Sequence, residues 1–183
     1  MILISVVLYL SSFTQVPSVP QSVRVEALGK QVVKTLHDRD IKGFAKLIHP
    51  VKGVRFSPQE FVRKEHQVFT SEQIKALTRD GTQYTWGEDL GSGKVIKMNF
   101  PSYYKQFLYD RDFAKATMTS RTVLLGRGSM ANNIDQFYPT STRVEYHFPA
   151  KKGKNDWGSL WLVFEEYQEQ LYLVGIVHGK CTC

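Results

Sequence analysis

Cysteine is nearly absent from this chain: its 183 residues include two, Cys181 and Cys183, both at the very end. That excludes a disulfide framework and a cysteine-rich zinc site, each of which needs more ligands at characteristic spacings. In an extended strand residues two apart point to the same face. A bridge between these two would therefore strain disulfide geometry. Free thiols, a strained pair and a link to another chain all stay open. No apolar run is long enough to span a bilayer as an ordinary helix. No two histidines sit at the short helical spacing of zinc enzymes. Gly91-Ser92-Gly93 lacks the long glycine spacing and the Lys-Ser/Thr ending of a phosphate loop, and nothing around Ser92 makes a nucleophile elbow. Internal repeats, low-complexity tracts and inter-domain linkers are missing as well. One domain over residues 21–183 is expected, with no cofactor and no metal implied.

What is present suits a packed core. Hydrophobic residues make up 42% of the chain, too many for a disordered one. There are 11 Phe, 9 Tyr and 3 Trp, and large rings favour a sheet packed on helices. The net charge of +7 favours anionic partners. The lysines and arginines are scattered instead of striped, which argues against nucleic acid and equally fits plain solubility. At the front, Ile2 to Leu10 is apolar apart from Ser5. Ser11, Ser12, Thr14, Pro17 and Pro20 follow. This reads as a signal-peptide-like leader over residues 1–16 without a basic start, and predicts a secreted or envelope (periplasmic) protein with no transmembrane span in the mature chain.

Helices are expected early. Val25, Leu28, Val32 and Leu36 recur at helical spacing within Gln21 to His37. A second helix over Ile41 to Ile48 has Asp40 as its N-cap and stops at His49-Pro50. Ser57-Pro58-Gln59-Glu60 reads as a capping box opening a third, and Ser71 opens another, stopped at Asp80-Gly81. Strands dominate the rest. Gln83 to Gly87 and Lys94 to Phe100 flank the Gly91-Ser92-Gly93 turn. Pro101 to Asp110 is helical, Thr117 to Leu125 β-rich, and Gly126 to Asn133 a loop. Thr142 to Phe148 alternates, with Val144, Tyr146 and Phe148 opposite Arg143, Glu145 and His147. Leu160 to Tyr167 and Leu171 to His178 form a hairpin. This order predicts an α+β fold: N-terminal helices packed on a strongly curved antiparallel sheet, with no room for the crossovers of a parallel one.

Several segments carry a resemblance: His49-Pro50 with Gly53 to Pro58, Tyr84-Thr85-Trp86-Gly87, Gly91-Ser92-Gly93, Val144 to Phe148, Leu162-Val163-Phe164-Glu165, and Leu171 to His178. They resemble an uncharacterised family of exported and lipoprotein-like bacterial proteins. Such proteins look similar to the NTF2-like, cystatin-like group, which implies a bent sheet wrapping a helix around a cone-shaped pocket. The chain departs from that pattern at Leu90 before the turn, at Trp161 where Arg is usual, and after His178.

Candidate chemistry centres on Glu145 and His147, which share a strand face and can act as a general-base pair. His178, Glu165 and His49 would extend it if the fold converged them. The competing reading is a solvated or cross-strand ion-paired face, with His49 as a helix-end cap bonding the last carbonyls. Tyr84, Trp86, Tyr103, Tyr104 and Tyr109 can line a ligand pocket with Arg55 as anion anchor and Glu165 beside it, or simply pack. The function expected is a non-catalytic module binding a small anion or an anionic envelope polymer on the concave side of the sheet. The alternatives are a hydrolase or isomerase using Glu145, His147 or His178, and a charge-driven polyanion binder.

Overall fold

The computed structural model describes residues 19–79, 81–89, 91–120 and 132–181. Residues 1–18, which include the leader, Asp80, Leu90, the stretch 121–131, Thr182 and Cys183 lie outside the described residues, and with them most of the expected loop after Leu125.

Helix α1 (Gln21–His37) buries Val25, Val32, Val33 and Leu36 along one stripe. Gly29 lies on that stripe because a Cβ there would come 2.7 Å from Val144 Cγ1 and 2.9 Å from Tyr146 Oη. The missing side chain lets the helix settle onto the sheet. The helix ends in a Schellman motif: Asp40 N–H donates to Thr35 O (2.8 Å) and Arg39 N–H to Leu36 O (3.2 Å). Arg39 takes the left-handed position, φ +54°. Asp40 then caps α2 (Ile41–Lys46), accepting from Gly43 N–H at 2.9 Å.

α2 stops two residues before the expected Ile48. There the backbone joins the sheet instead: Leu173 N–H donates to Leu47 O (2.8 Å) and His49 N–H to Leu173 O (3.0 Å). Strand β1 (Val54–Ser57) continues this course, parallel to β8, with Phe56 beside Ile176. The sheet is therefore mixed, which corrects the all-antiparallel expectation. The two helices between β1 and the start of the chain set its direction, and strand periodicity carries no direction of its own.

Ser57-Pro58-Gln59-Glu60 forms no helix. Ser57 ends β1, with its hydroxyl 3.0 Å from the buried His66 Nδ1, and Glu60 is pulled under cover. The capping box occurs later, after β2 (Val68–Phe69). Thr70 and Gln73 bond each other's backbones at the start of α3 (Ser71–Leu77). β3 (Tyr84–Glu88) and β4 (Val95–Met98) pair as a separate hairpin, with Asp89 accepting from Ser92 N–H in the turn. α4 (Phe100–Tyr103) runs on as a π-helical turn over Tyr104–Leu108. β5 (Met118–Ser120), a short α5 (Ile134–Phe137), β6 (Thr142–Phe148), β7 (Gly158–Tyr167) and β8 (Gln170–Lys180) complete the chain.

The six-stranded sheet has the order β2-β1-β8-β7-β6-β5. Between β7 and β8 the register jumps, Val163 facing Gly175 and Phe164 facing Leu173. Such a bulge bends and twists the strand pair. One sheet face packs Val144, Tyr146, Leu160, Leu162 and Phe164 against α1 and α2. Phe56 extends this core into a ring cluster, edge-on to Trp86, Phe100 and Tyr103. Trp86 stacks on Tyr103 at 3.7 Å. Each such buried ring contributes about 1.5–3 kcal/mol, and each ring pair roughly 0.5–1.5 more. The opposite face carries a smaller cluster, including Val62, Ile134, Tyr138, Trp161 and Val177. Among the described residues no helix is long and apolar enough to cross a membrane.

Candidate functional site

Strand alternation separates the three acid–base candidates. Across β6, β7 and β8, Tyr146, Leu160 and His178 lie in one row, and His147, Ser159 and Gly179 in the next. His178 therefore shares the α1 face, while Glu145 and His147 share the other. The single pocket holding all three does not form.

Glu145 and His147 do come together, through a residue the sequence did not single out. Ser159 on β7 donates its hydroxyl to Glu145 Oε1 at 2.7 Å and lies 2.7 Å from His147 Nδ1. A serine has one proton to give, so His147 must donate Nδ1–H to Ser159, leaving a lone pair on Nε2. All three are buried, at 1% exposure for Glu145, 6% for His147 and 0% for Ser159. Of the solvated or cross-strand-paired face expected here, the solvated form is excluded, because Trp161 and Trp157 pack beside it, and the pairing runs through Ser159. Burial pushes the His147 pKa down, Glu145 opposing and Arg111 reinforcing the effect. The imidazole is held neutral with one basic nitrogen, which suits proton acceptance.

Two further groups join this face. Glu60 is 7% exposed with Oε1 unpartnered, and burial raises its pKa. Trp161 is fully buried with its indole N–H unpartnered. Both rest against Gly179, where a Cβ would come 2.6 Å from the indole and 3.0 Å from Glu60 Cγ. In the sequence Glu60 stands only as a member of a capping box, and its Ser-Pro context carries no sign of burial.

His178, on the α1 face, meets Asp110 instead. Its Nε2 lies 3.1 Å from Asp110 Oδ1, close enough for an ion pair but off the line of a good hydrogen bond. Burial pushes the Asp110 carboxyl up, but His178, Lys180 and Arg111 together hold it below its ordinary value.

The remaining candidates are dispersed. Arg55 donates to the carbonyls of Lys64 and His66, both at 2.7 Å, and sits over the Phe137 ring. It anchors the loop after β1. Trp86 is buried with Nε1–H on Met98 O at 2.9 Å, and Tyr84 packs edge-on to Phe69. Tyr103 is buried, and Tyr109 donates to Asp112. Glu165 pairs with Lys52. His49 lies between Tyr167 and Tyr172, and its Nδ1 accepts from Val51 and Lys52 N–H. It caps the following turn and not the carbonyls of the preceding helix. Arg55 and Trp86 thus lie on opposite faces, Arg55 opposite Gly175 and Trp86 within the ring cluster. Among the described residues no group of three His, Cys, Asp or Glu side chains is placed to hold a metal ion.

An open cleft of about 290 Å³ lies where α2, α3 and α4 meet. Ile41, Phe100, Pro101 and Tyr104 form its apolar walls, Thr78 its lip, and Arg39 and Lys105 its charged edge. That is at the small end of ligand-pocket volumes, roughly 300–1,000 Å³.

No family model and no curated protein matches the chain. Solved structures are distantly similar. One is described as a calcium/calmodulin-dependent protein kinase II association domain, from Xanthomonas campestris, at 16% identity. It covers 96% of this chain and 99% of that one, with a TM-score of 0.40. Another is an NTF2-like protein of unknown function from Shewanella baltica, at 6% identity over 89% of this chain and 95% of that one, TM-score 0.40. A third, of unknown function, is from Pectobacterium atrosepticum, at 9% identity over 87% and 90%, TM-score 0.37.

Proposed function

We propose that this chain is an exported, envelope-associated binding module on an NTF2-like scaffold, and that its ligand enters the cleft between α2, α3 and α4. The observation that carries the reading is the cleft's composition: apolar walls with two cations and, among the described residues, no acidic one. Of the rings that sequence pattern offers as a pocket lining, Trp86 and Tyr103 are buried in the packed ring cluster, and Tyr104 lines the cleft. Ligand sites are concave, mostly apolar and carry few polar groups, which the cleft satisfies. Export rests on the apolar run Ile2 to Leu10, and N-terminal sequencing of the extracytoplasmic fraction tests it. A mature chain retaining Ile2 in the cytosol overturns that part.

Thermal-shift screening of small carboxylates, phosphates, neutral lipids and anionic envelope polymers tests the binding role. Thr78→Trp, at an exposed position on the lip, serves as the blocking variant. A shift in the wild type that Thr78→Trp abolishes is expected. No shift with any class, or shifts unaffected by the block, defeats the reading. Polyanion binding without the cleft would show as affinity falling steeply with salt in both proteins.

The second reading is acid–base chemistry at His147, favoured by the Glu145–Ser159–His147 chain. Loss of any hydrolase or isomerase activity in His147→Gln, with folding retained, would support it.

A further inference from the structure

We infer that the cleft is selective for a small amphiphilic anion, a carboxylate carrying a short apolar tail, and that Arg39 is the residue that reads the charge. This rests on the cleft being the binding site. Position 39 is the left-handed position closing α1, φ +54°. Glycine or asparagine is the favoured occupant there, because a side chain in that conformation strains against the following carbonyl. An arginine at such a position is uncommon, and in this chain only Gln168 and Glu169 of the β7–β8 turn share that conformation among the described non-glycine residues.

The Arg39 guanidinium carbon lies 5.9 Å from the centroid of the Tyr104 ring. That ring is fixed from below, since the Tyr104 hydroxyl donates to Leu36 O, in the same last turn of α1 that Arg39 closes. The neighbouring carboxylate, Asp40, turns back to cap α2 and accepts from Gly43 N–H. Lys105 stands beside Tyr104 on the same cleft. Among the described residues neither Arg39 nor Lys105 forms an ion pair. Two cations with no ion pair among the described residues thus flank an apolar wall of Ile41, Phe100 and Pro101. A carboxylate would accept from both cations, and its tail would cover the wall. The short apolar wall matches a short chain.

Calorimetric titration with octanoate, octanol and acetate, on the full chain, separates the terms. Octanoate should bind about tenfold or more tighter than either octanol or acetate, since a charged hydrogen bond and a buried tail each contribute about that much. Arg39→Gly should weaken octanoate binding about tenfold and yet raise the melting temperature of the free protein by a few degrees, by relieving the strained backbone. Arg39→Gln, which removes the charge but keeps a side chain at the left-handed position, should lose the same affinity without that gain. Octanol binding as tightly as octanoate, or Arg39→Gly binding octanoate like the wild type, overturns the inference while leaving the binding role intact. If neither octanoate nor octanol binds, and no other ligand is blocked by Thr78→Trp, both fall together.

Discussion

The two faces of the six-stranded sheet use the same strands β6, β7 and β8 for different ends. On the α1 face Val144, Leu160, Leu162 and Phe164 are apolar, fully buried and in contact with helices. On the other, Glu145, Ser159 and His147 are buried almost as deeply but hold one another through hydrogen bonds. The first face gains stability from area and close packing. The second must satisfy each polar atom it hides, and where it does not, as at Glu60 and Trp161, a buried group is left unpartnered. The difference separates a face that any well-shaped apolar set could replace from one that depends on particular residues.

The comparison can be broken most forcefully on the apolar side. Phe164→Ala should destabilise the fold by about 3–5 kcal/mol, through lost transfer energy and a cavity. Denaturant unfolding reads this, and a loss under about 1 kcal/mol would mean that face is loosely packed.

Acid sharpens the comparison next, because the cover of the second face contains His66. Burial, with Arg55 and Arg63 nearby, lowers its pKa from 6.5 to about 4. A base whose folded pKa is depressed is fully stabilising above its unfolded value and loses that contribution as pH falls through the window from about 6.5 to about 4. The folded state there refuses a proton that the unfolded chain accepts. The contribution is on the order of 3 kcal/mol. Unfolding free energies at a series of pH values should show this slope, and His66→Gln should flatten it. An unchanged slope in the variant assigns the effect to another group.

The smallest expected effect is Glu145→Gln, which keeps shape but replaces the charged acceptor that orders Ser159 with a neutral amide oxygen. A loss of about 1–3 kcal/mol is expected, with redistribution of the His147 proton between Nδ1 and Nε2 in nitrogen NMR. A variant with wild-type stability and tautomer would show that the relay is not held by Glu145.

Much of the fold was legible from pattern. Helix α1 runs over the residues its spacing predicts, and the β6 segment Thr142 to Phe148 and the β7–β8 hairpin follow their alternation. The Asp40 cap is where its chemistry put it. The false helix at Ser57 to Glu60 shows the weakness of a local signal: a capping box offers a start, but Ser57 is taken by His66 and Glu60 by the underside of the sheet. The candidate sites were less legible. Alternation already placed Glu145 with His147, but nothing in β6 announces that Ser159, fourteen residues on, will sit between them.

By itself the sequence determined where the long helix and the long strands run and which of their side chains share a face, since those follow from periods of 3.6 and 2 along the chain. Tertiary structure alone decided that β1 runs parallel to β8, that His178 faces away from His147, and that Arg39 closes over Tyr104 beside Lys105. Those are relations between residues far apart in the chain. They are fixed by which strands pair and in which register, and no local period encodes that.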